Sequence, residues 1–428
     1  MNSKVYFSLM FILFCMTEIA QAELEPRIWG ETGYVIKSDR ISSGHELSLP
    51  DFISGKKVNE TDRWLFTQSA YLELNARLSN RMFVGFDTTL LLSGKEVGSL
   101  SNTLKQIYII VPVSDRCMLS FGKQRLKWGT AKVFNAIDKL EKVLDPLSDE
   151  RFKEGVAGIK VVLIPSEWFS FSLVAMPETG LNSSRLASRF DFLVLDTDIG
   201  FGMIKYNFEH LTGSSFLTKE KLNCYAAFFD LIRYFGNLGL YLESEYRNLR
   251  EMEYAFENTD NSSYKVNEYD TVNQPVFRMS TGVHCRIENT LKMDLLFEYF
   301  YNNEGFNDAE AKNFYNTYKY YTTSYPKGNH QLPANFVQFG SFRRHYLCLG
   351  LQNIEVANNL KLGISAIANL EPLFFDFKPE MEYIIDNNIF ILVEYDLYHQ
   401  YVDSEKSPSL FNFMDKNNSV KLTIKTNF

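Results

Sequence analysis

The chain reads as an all-β protein: a transmembrane antiparallel β-barrel of about 18 strands, with 16 as the alternative, and one partly helical segment folded inward. Three observations predict this. An export signature opens the chain, and no second apolar run of helical length follows it. Strand-like alternation recurs from end to end. Tight turns alternate with longer connections, as between the two sides of an outer membrane. An exported chain with half-apolar strands is either a large secreted β protein or a barrel. The aromatic content of 15%, with 36 Phe and 24 Tyr, favours the barrel, whose strands carry aromatics at both interfaces.

Residues 1–22 have the pattern of a cleaved signal: Lys4, an apolar stretch over 5–16, and Ala20-Gln21-Ala22 as an A-x-A site. The apolar stretch is shorter than the ~20 residues a spanning helix needs. Phe14 is too bulky to precede Cys15 as a lipidation site, so cleavage is expected, leaving 23–428 as a single barrel domain. The formal net charge of −8 argues against a nucleic-acid partner. After cleavage Cys117, Cys224, Cys285 and Cys348 remain, each isolated within an expected strand. No C-x-x-C spacing occurs, so metal and redox motifs are not indicated. An oxidising compartment leaves disulfides open.

Strands are expected over 28–37, 63–78, 82–93, 104–113 and from 117. They resume over 168–176, 187–195, 199–208, 222–233, 238–248, 275–287, 290–302, 342–354, 360–370, 373–385, 389–401 and 419–428. Loops are expected from 177 to about 186 and from 249 to 273. The Glu371-Pro372 link is the one short connection where a long one is due. In the closing strand Val420, Leu422, Ile424, Thr426 and Phe428 share a face, opposite Lys421, Thr423, Lys425 and Asn427. Such a strand with a terminal aromatic resembles the C-terminal signal of bacterial outer-membrane barrels, which the barrel-assembly machinery reads, so Phe428 is the expected assembly signal.

The hairpin over 117–164 is the most informative stretch. Its two ends alternate as strands, while Val133, Ile137, Leu140 and Leu144 recur at helical spacing between them. A long connection carrying apolar residues needs somewhere to pack, and the barrel interior supplies it. Residues 130–154 are therefore expected to be an inward constriction loop, and 303–341 a long surface loop or second plug, with a helix over 308–318.

If the apolar face of each strand meets lipid, the polar face lines the interior. Interior candidates are Glu243, Glu245, Arg247, Lys292, Asp294, Glu298, Asp376, Lys378, Glu380, Glu382, Glu394, Asp396, Lys421 and Lys425. So many alternating charges suit a wide, water-filled barrel. Acids dominate 373–401, giving an acidic wall of Asp376, Glu380, Glu382, Glu394 and Asp396. Bases gather at 123–127.

The run GKQRLKWG over 122–129, then Asp138, Asp145-Pro146 and a strand opening at Gly155-Val156, resembles a pattern in large outer-membrane channel families. There a G-x-Q strand end meets a W-G corner, followed by an inward segment containing Asp and Pro. It looks most like the alginate-export and related substrate-channel porins, and more distantly the barrel lectins that anchor capsule. The resemblance implies that Lys123, Gln124, Arg125, Lys127 and Trp128 lie at the rim of a constriction. Glycines at 122 and 129 permit the sharp turn, and Arg125 has the geometry to hold Asp138 or Asp145.

An enzyme is not expected. None of the six His lies in a nucleophile or metal motif, and the best pair, His399 with Asp403, is explained equally by loop polarity. The expected function is a porin-like channel for passive diffusion of small polar or charged solutes through an outer membrane. It needs no cofactor, and its partners are outer-membrane lipid, the barrel-assembly machinery and the solute. The alternative is a surface-binding barrel, an adhesin or polysaccharide anchor, with a blocked interior.

Overall fold

A computed structural model describes residues 23–32, 67–77, 83–93, 100–137, 140, 155–178, 180–212, 218–250, 255–257, 264–266, 274–288, 292–312, 342–371, 373–386, 389–400 and 419–427. Residues 1–22, Asp138, Asp145, Asp403 and Phe428 lie outside these spans, as do the side chains of Asp396, His399 and the closing strand.

The strands run in chain order as β1 (Glu23–Thr32), β2 (Thr67–Arg77), β3 (Phe83–Ser93), β4 (Leu100–Ser114), β5 (Cys117–Gln124), β6 (Val156–Ser166), β7 (Phe169–Glu178), β8 (Gly180–Val194), β9 (Thr197–Thr212) and β10 (Thr218–Phe235). They continue as β11 (Leu238–Arg247), β12 (Ala255–Glu257), β13 (Tyr264–Val266), β14 (Val276–Glu288), β15 (Lys292–Asn302), β16 (His345–Ala357), β17 (Leu360–Leu370), β18 (Leu373–Asp386), β19 (Ile389–Gln400) and β20 (Ser419–Asn427). Apart from the small β12–β13 hairpin, all belong to one 18-stranded antiparallel sheet. Each strand pairs with its neighbours in sequence, and β1 pairs with both β2 and β20.

Turn chemistry accounts for the short connections. Between β8 and β9, Leu195 and Asp196 both take positive φ, 50° and 59°, the backbone signature of a type I′ hairpin. Gly236, at φ 61°, turns β10 into β11. At the opposite end the strands reach further than the turn-rich sequence suggested. Strands β7 and β8 continue to Glu178 and from Gly180, and β9 and β10 to Thr212 and from Thr218. Cross-strand pairing here overrides the local loop preference of Asn, Ser and Gly. The β7–β8 link is therefore short, like that at Glu371-Pro372. The β12–β13 hairpin falls in the span read as a loop, β1 starts at Glu23 rather than 28, and β4 at Leu100 rather than 104.

The burial pattern is inverted relative to a water-soluble protein. On β11, Tyr241, Glu243, Glu245 and Arg247 are buried while Leu240 and Tyr246 are exposed. Across the sheet the buried set includes Asp230, Glu243, Glu298, Asp376 and Arg247 at 0–1% exposure, whereas Leu349 is 50% and Phe201 42% exposed. Charged residues are almost never fully buried in ordinary cores unless paired. Cys117, Cys224, Cys285 and Cys348 are free thiols.

Candidate functional site

The chain leaves the sheet at the end of β5. Gly122 has φ 115°, and an added Cβ would meet the Ile107 carbonyl and the Tyr108 backbone, so only glycine suits this close approach. Beyond the corner, residues 125–137 form no helix. The helical spacing of Val133, Ile137 and Leu140 is instead the spacing of an irregular segment pressed against the inner face. Leu126, Trp128, Phe134, Ala136, Ile137 and Leu140 join one apolar cluster with Val174 and Met176 of β7, Ala187 of β8, Ile204 of β9, Phe228 of β10, Phe300 of β15, Tyr346 of β16 and Ile367 of β17. Trp128 packs on Phe228 with ring centroids 5.3 Å apart, and Phe134 stacks on Phe300 at 5.2 Å.

An irregular buried backbone must find partners for its N–H groups, and two wall carboxylates supply them. Glu243 accepts from Thr130 and Ala131, at 2.9 and 3.1 Å, and also from Ala136. Glu298 accepts from Lys132 at 2.9 Å, Val133 at 3.1 Å and Phe134 at 2.5 Å. A carboxylate is an acceptor with about four lone-pair sites, so one can hold three donors. Here lies the reason the segment is not a helix: its N–H groups are given to the wall rather than to carbonyls four residues back. The Tyr241 hydroxyl donates to Glu298 at 2.5 Å. Its ring crosses Gly282, where a Cβ would collide with the phenol. Asn135 closes the segment locally, donating to the Trp128 carbonyl at 2.5 Å and accepting from the Ile137 N–H at 3.1 Å.

Beside the corner lies a recess of about 280 Å³ lined by Lys127, Trp128, Gly129, Lys160, Val162, Ser170, Ser172, Arg189 and Asp191. Arg189 holds Asp230 bidentately at 2.8 and 2.9 Å and Asp191 at 2.5 Å, reaching over Gly200 of the intervening strand.

The expected rim residues separate. Lys127 is exposed and lines the recess, and Trp128 is buried at its edge. Lys123 turns away, its ammonium 2.5 Å from the Leu104 carbonyl. The Arg125 N–H donates to Gln106 at 3.2 Å. On the acidic side Asp376 is buried, Glu380 and Glu394 stand opposite each other in register, and Glu382 pairs with Lys361 at 3.3 Å. Asp396 is opposite Ser419 and Glu394 opposite Lys421 in the β19–β20 register.

The root of the second insert is also buried. Glu304, Phe306 and Phe342 are buried, and Arg247 and Arg278 both pair with Glu304, the latter at 2.7 Å. Asn307 and Glu310 exchange side-chain to backbone hydrogen bonds of 2.8 and 2.9 Å, a capping box on the helical turn over 308–312. Residues 313–341 lie outside the described spans, as does the rest of the helix expected to 318. Among the functional features, sequence reasoning named Glu243 and Glu298 as interior charges but not as anchors, and it missed Tyr241. The available signal was a glycine, Gly282, at an inward position beside a tyrosine and a glutamate.

No family model matches the chain, and no curated protein is similar to it. Solved structures similar to it include OccK3 (OpdO) of Pseudomonas aeruginosa, with 9% identity, 96% of this chain and 97% of that chain covered, and a TM-score of 0.49. OmpF of Salmonella typhi in complex with daunomycin has 8% identity, 95% and 97% coverage and a TM-score of 0.43. The outer-membrane channel DcaP of Acinetobacter baumannii has 11% identity, 95% and 97% coverage and a TM-score of 0.41.

Proposed function

We propose that the sheet closes into an 18-stranded barrel in an outer membrane. In this reading it acts as a porin-like channel for passive diffusion of small polar or charged solutes. The observation that carries this reading is the inverted burial: carboxylates and arginines inside, leucines and phenylalanines outside. An apolar exterior of this extent needs lipid, and an interior rich in charge needs water or paired partners. The pairing of β1 with β20 supports closure. Exposed aromatics gather near the turns (Trp168, Tyr234, Phe235) and near the long connections (Tyr246, Phe277), as two interfacial girdles do. Strands of 11 residues such as β6 and β15 match the ~9–11 that cross a bilayer.

The anchored segment narrows the interior. Its apolar cluster includes residues of β7–β10 and β15–β18. In this reading Lys127 with Arg125 gives the constriction a basic side against the acids of β18 and β19, and Phe428 serves assembly. Planar-bilayer recording of the purified protein tests the function. Discrete ohmic conductance steps are expected. Folded, inserted protein without conductance would contradict the channel and favour the surface-binding barrel.

A further inference from the structure

Beyond Arg125 and Lys127, the anchored segment carries a further cation, Lys132, on a fixed root. Ala131, Phe134, Ala136 and Ile137 are buried against the wall, at 1–3% exposure, while Lys132 between them is exposed. Its backbone is immobilised: the N–H groups of Ala131, Lys132 and Val133 are all held by Glu243 or Glu298. Its ammonium makes no hydrogen bond or ion pair with any described residue. Two other cations of this region are engaged. Lys123 bonds the Leu104 carbonyl, and Arg189 is met by Asp230 and Asp191.

The charged groups of the wall near Lys132 include Glu298 of β15, which accepts its N–H, and Glu243 of β11, which accepts from Ala131 beside it, both turned to the backbone of the segment. His284 of β14 also feels the lysine, as it does Asp294 of β15. Asp294 is itself held by the Asn353 amide at 2.7 Å. We propose that Lys132, on the part of the segment pinned to the wall, is a selectivity-determining residue of the constriction, adding to Arg125 and Lys127 and drawing small anions through it. The inference rests on the channel reading. A strongly hydrated ammonium on a pinned backbone acts on passing ions through its field alone, and that field extends ~30 Å at 0.01 M salt but only ~3 Å at 1 M.

The test is the reversal potential of the purified full chain in planar bilayers under a KCl gradient, with Lys132→Gln, Lys132→Glu and, as a control on the second insert, Lys312→Glu. Heat-modifiable gel mobility verifies folding of each. The expected result is a chloride preference in the unaltered protein, reduced by Lys132→Gln and reversed by Lys132→Glu. The change is several-fold at low salt and small at high salt, and Lys312→Glu leaves the preference unaltered. Conducting Lys132→Glu channels with unchanged selectivity, or a shift equal at both salts, would overturn the assignment while leaving the channel in place. Absence of conductance in the unaltered protein would overturn the channel reading and this assignment with it.

Discussion

Glu298 gathers three backbone N–H groups and one phenol onto a single carboxylate, with neighbours that only donate. Replacing it with glutamine of the same shape turns an amide NH2 toward those donors. At least one is left unpaired, at about 1–3 kcal/mol each. Glu298→Gln is therefore expected to speed amide exchange at Lys132–Phe134 by tenfold or more, with the strand amides of β15 unchanged. Equal protection in both proteins would remove Glu298 as an anchor. Tyr241 and Gly282 form a second unit at this scale. Tyr241→Phe removes the phenol, and Gly282→Ala fills the space the ring crosses. Since both abolish the same hydrogen bond, the double variant should destabilise by clearly less than the sum of the singles, a non-additivity typical of residues in contact. Urea unfolding in lipid vesicles reads it, and simple additivity would contradict the shared bond.

The strands were legible wherever a period of two separated an apolar face from a polar one. The pairing register of β10–β11, for instance, keeps Leu240 and Tyr246 on one face and Glu243, Glu245 and Arg247 on the other, as alternation alone suggested for the three charged residues. The inward segment was legible as an insertion but not in its conformation. Val133, Ile137 and Leu140 fit a helix, yet the donors that would make one are claimed by Glu243 and Glu298, residues more than 100 positions away in sequence. Local periodicity carries no information about such partners. Outward and inward faces make opposite predictions. Leu349→Arg on the outer face of β16 should cost about 2–4 kcal/mol near the bilayer midplane. Gln352→Arg, opposite Asp294 in register, should fold nearly as well as the unaltered chain. Urea titration in vesicles distinguishes them, and a larger loss for Gln352→Arg would invert the assignment of faces.

For the molecule as a whole, an antiparallel sheet of 18 strands supplies a stiff wall, and in the proposed channel the segment bound to that wall by its backbone sets the passage. The binding groups are carboxylates of the wall rather than side chains of the segment, so the passage width and the charge it displays are separable properties. The most direct measurement is the single-channel conductance of Glu243→Gln/Glu298→Gln beside that of the unaltered protein, both verified as folded by heat-modifiable mobility. A steady level is expected for the unaltered channel, and a several-fold larger or fluctuating conductance for the double variant, as the segment detaches from the wall. Two folded proteins with the same conductance and the same noise would contradict it.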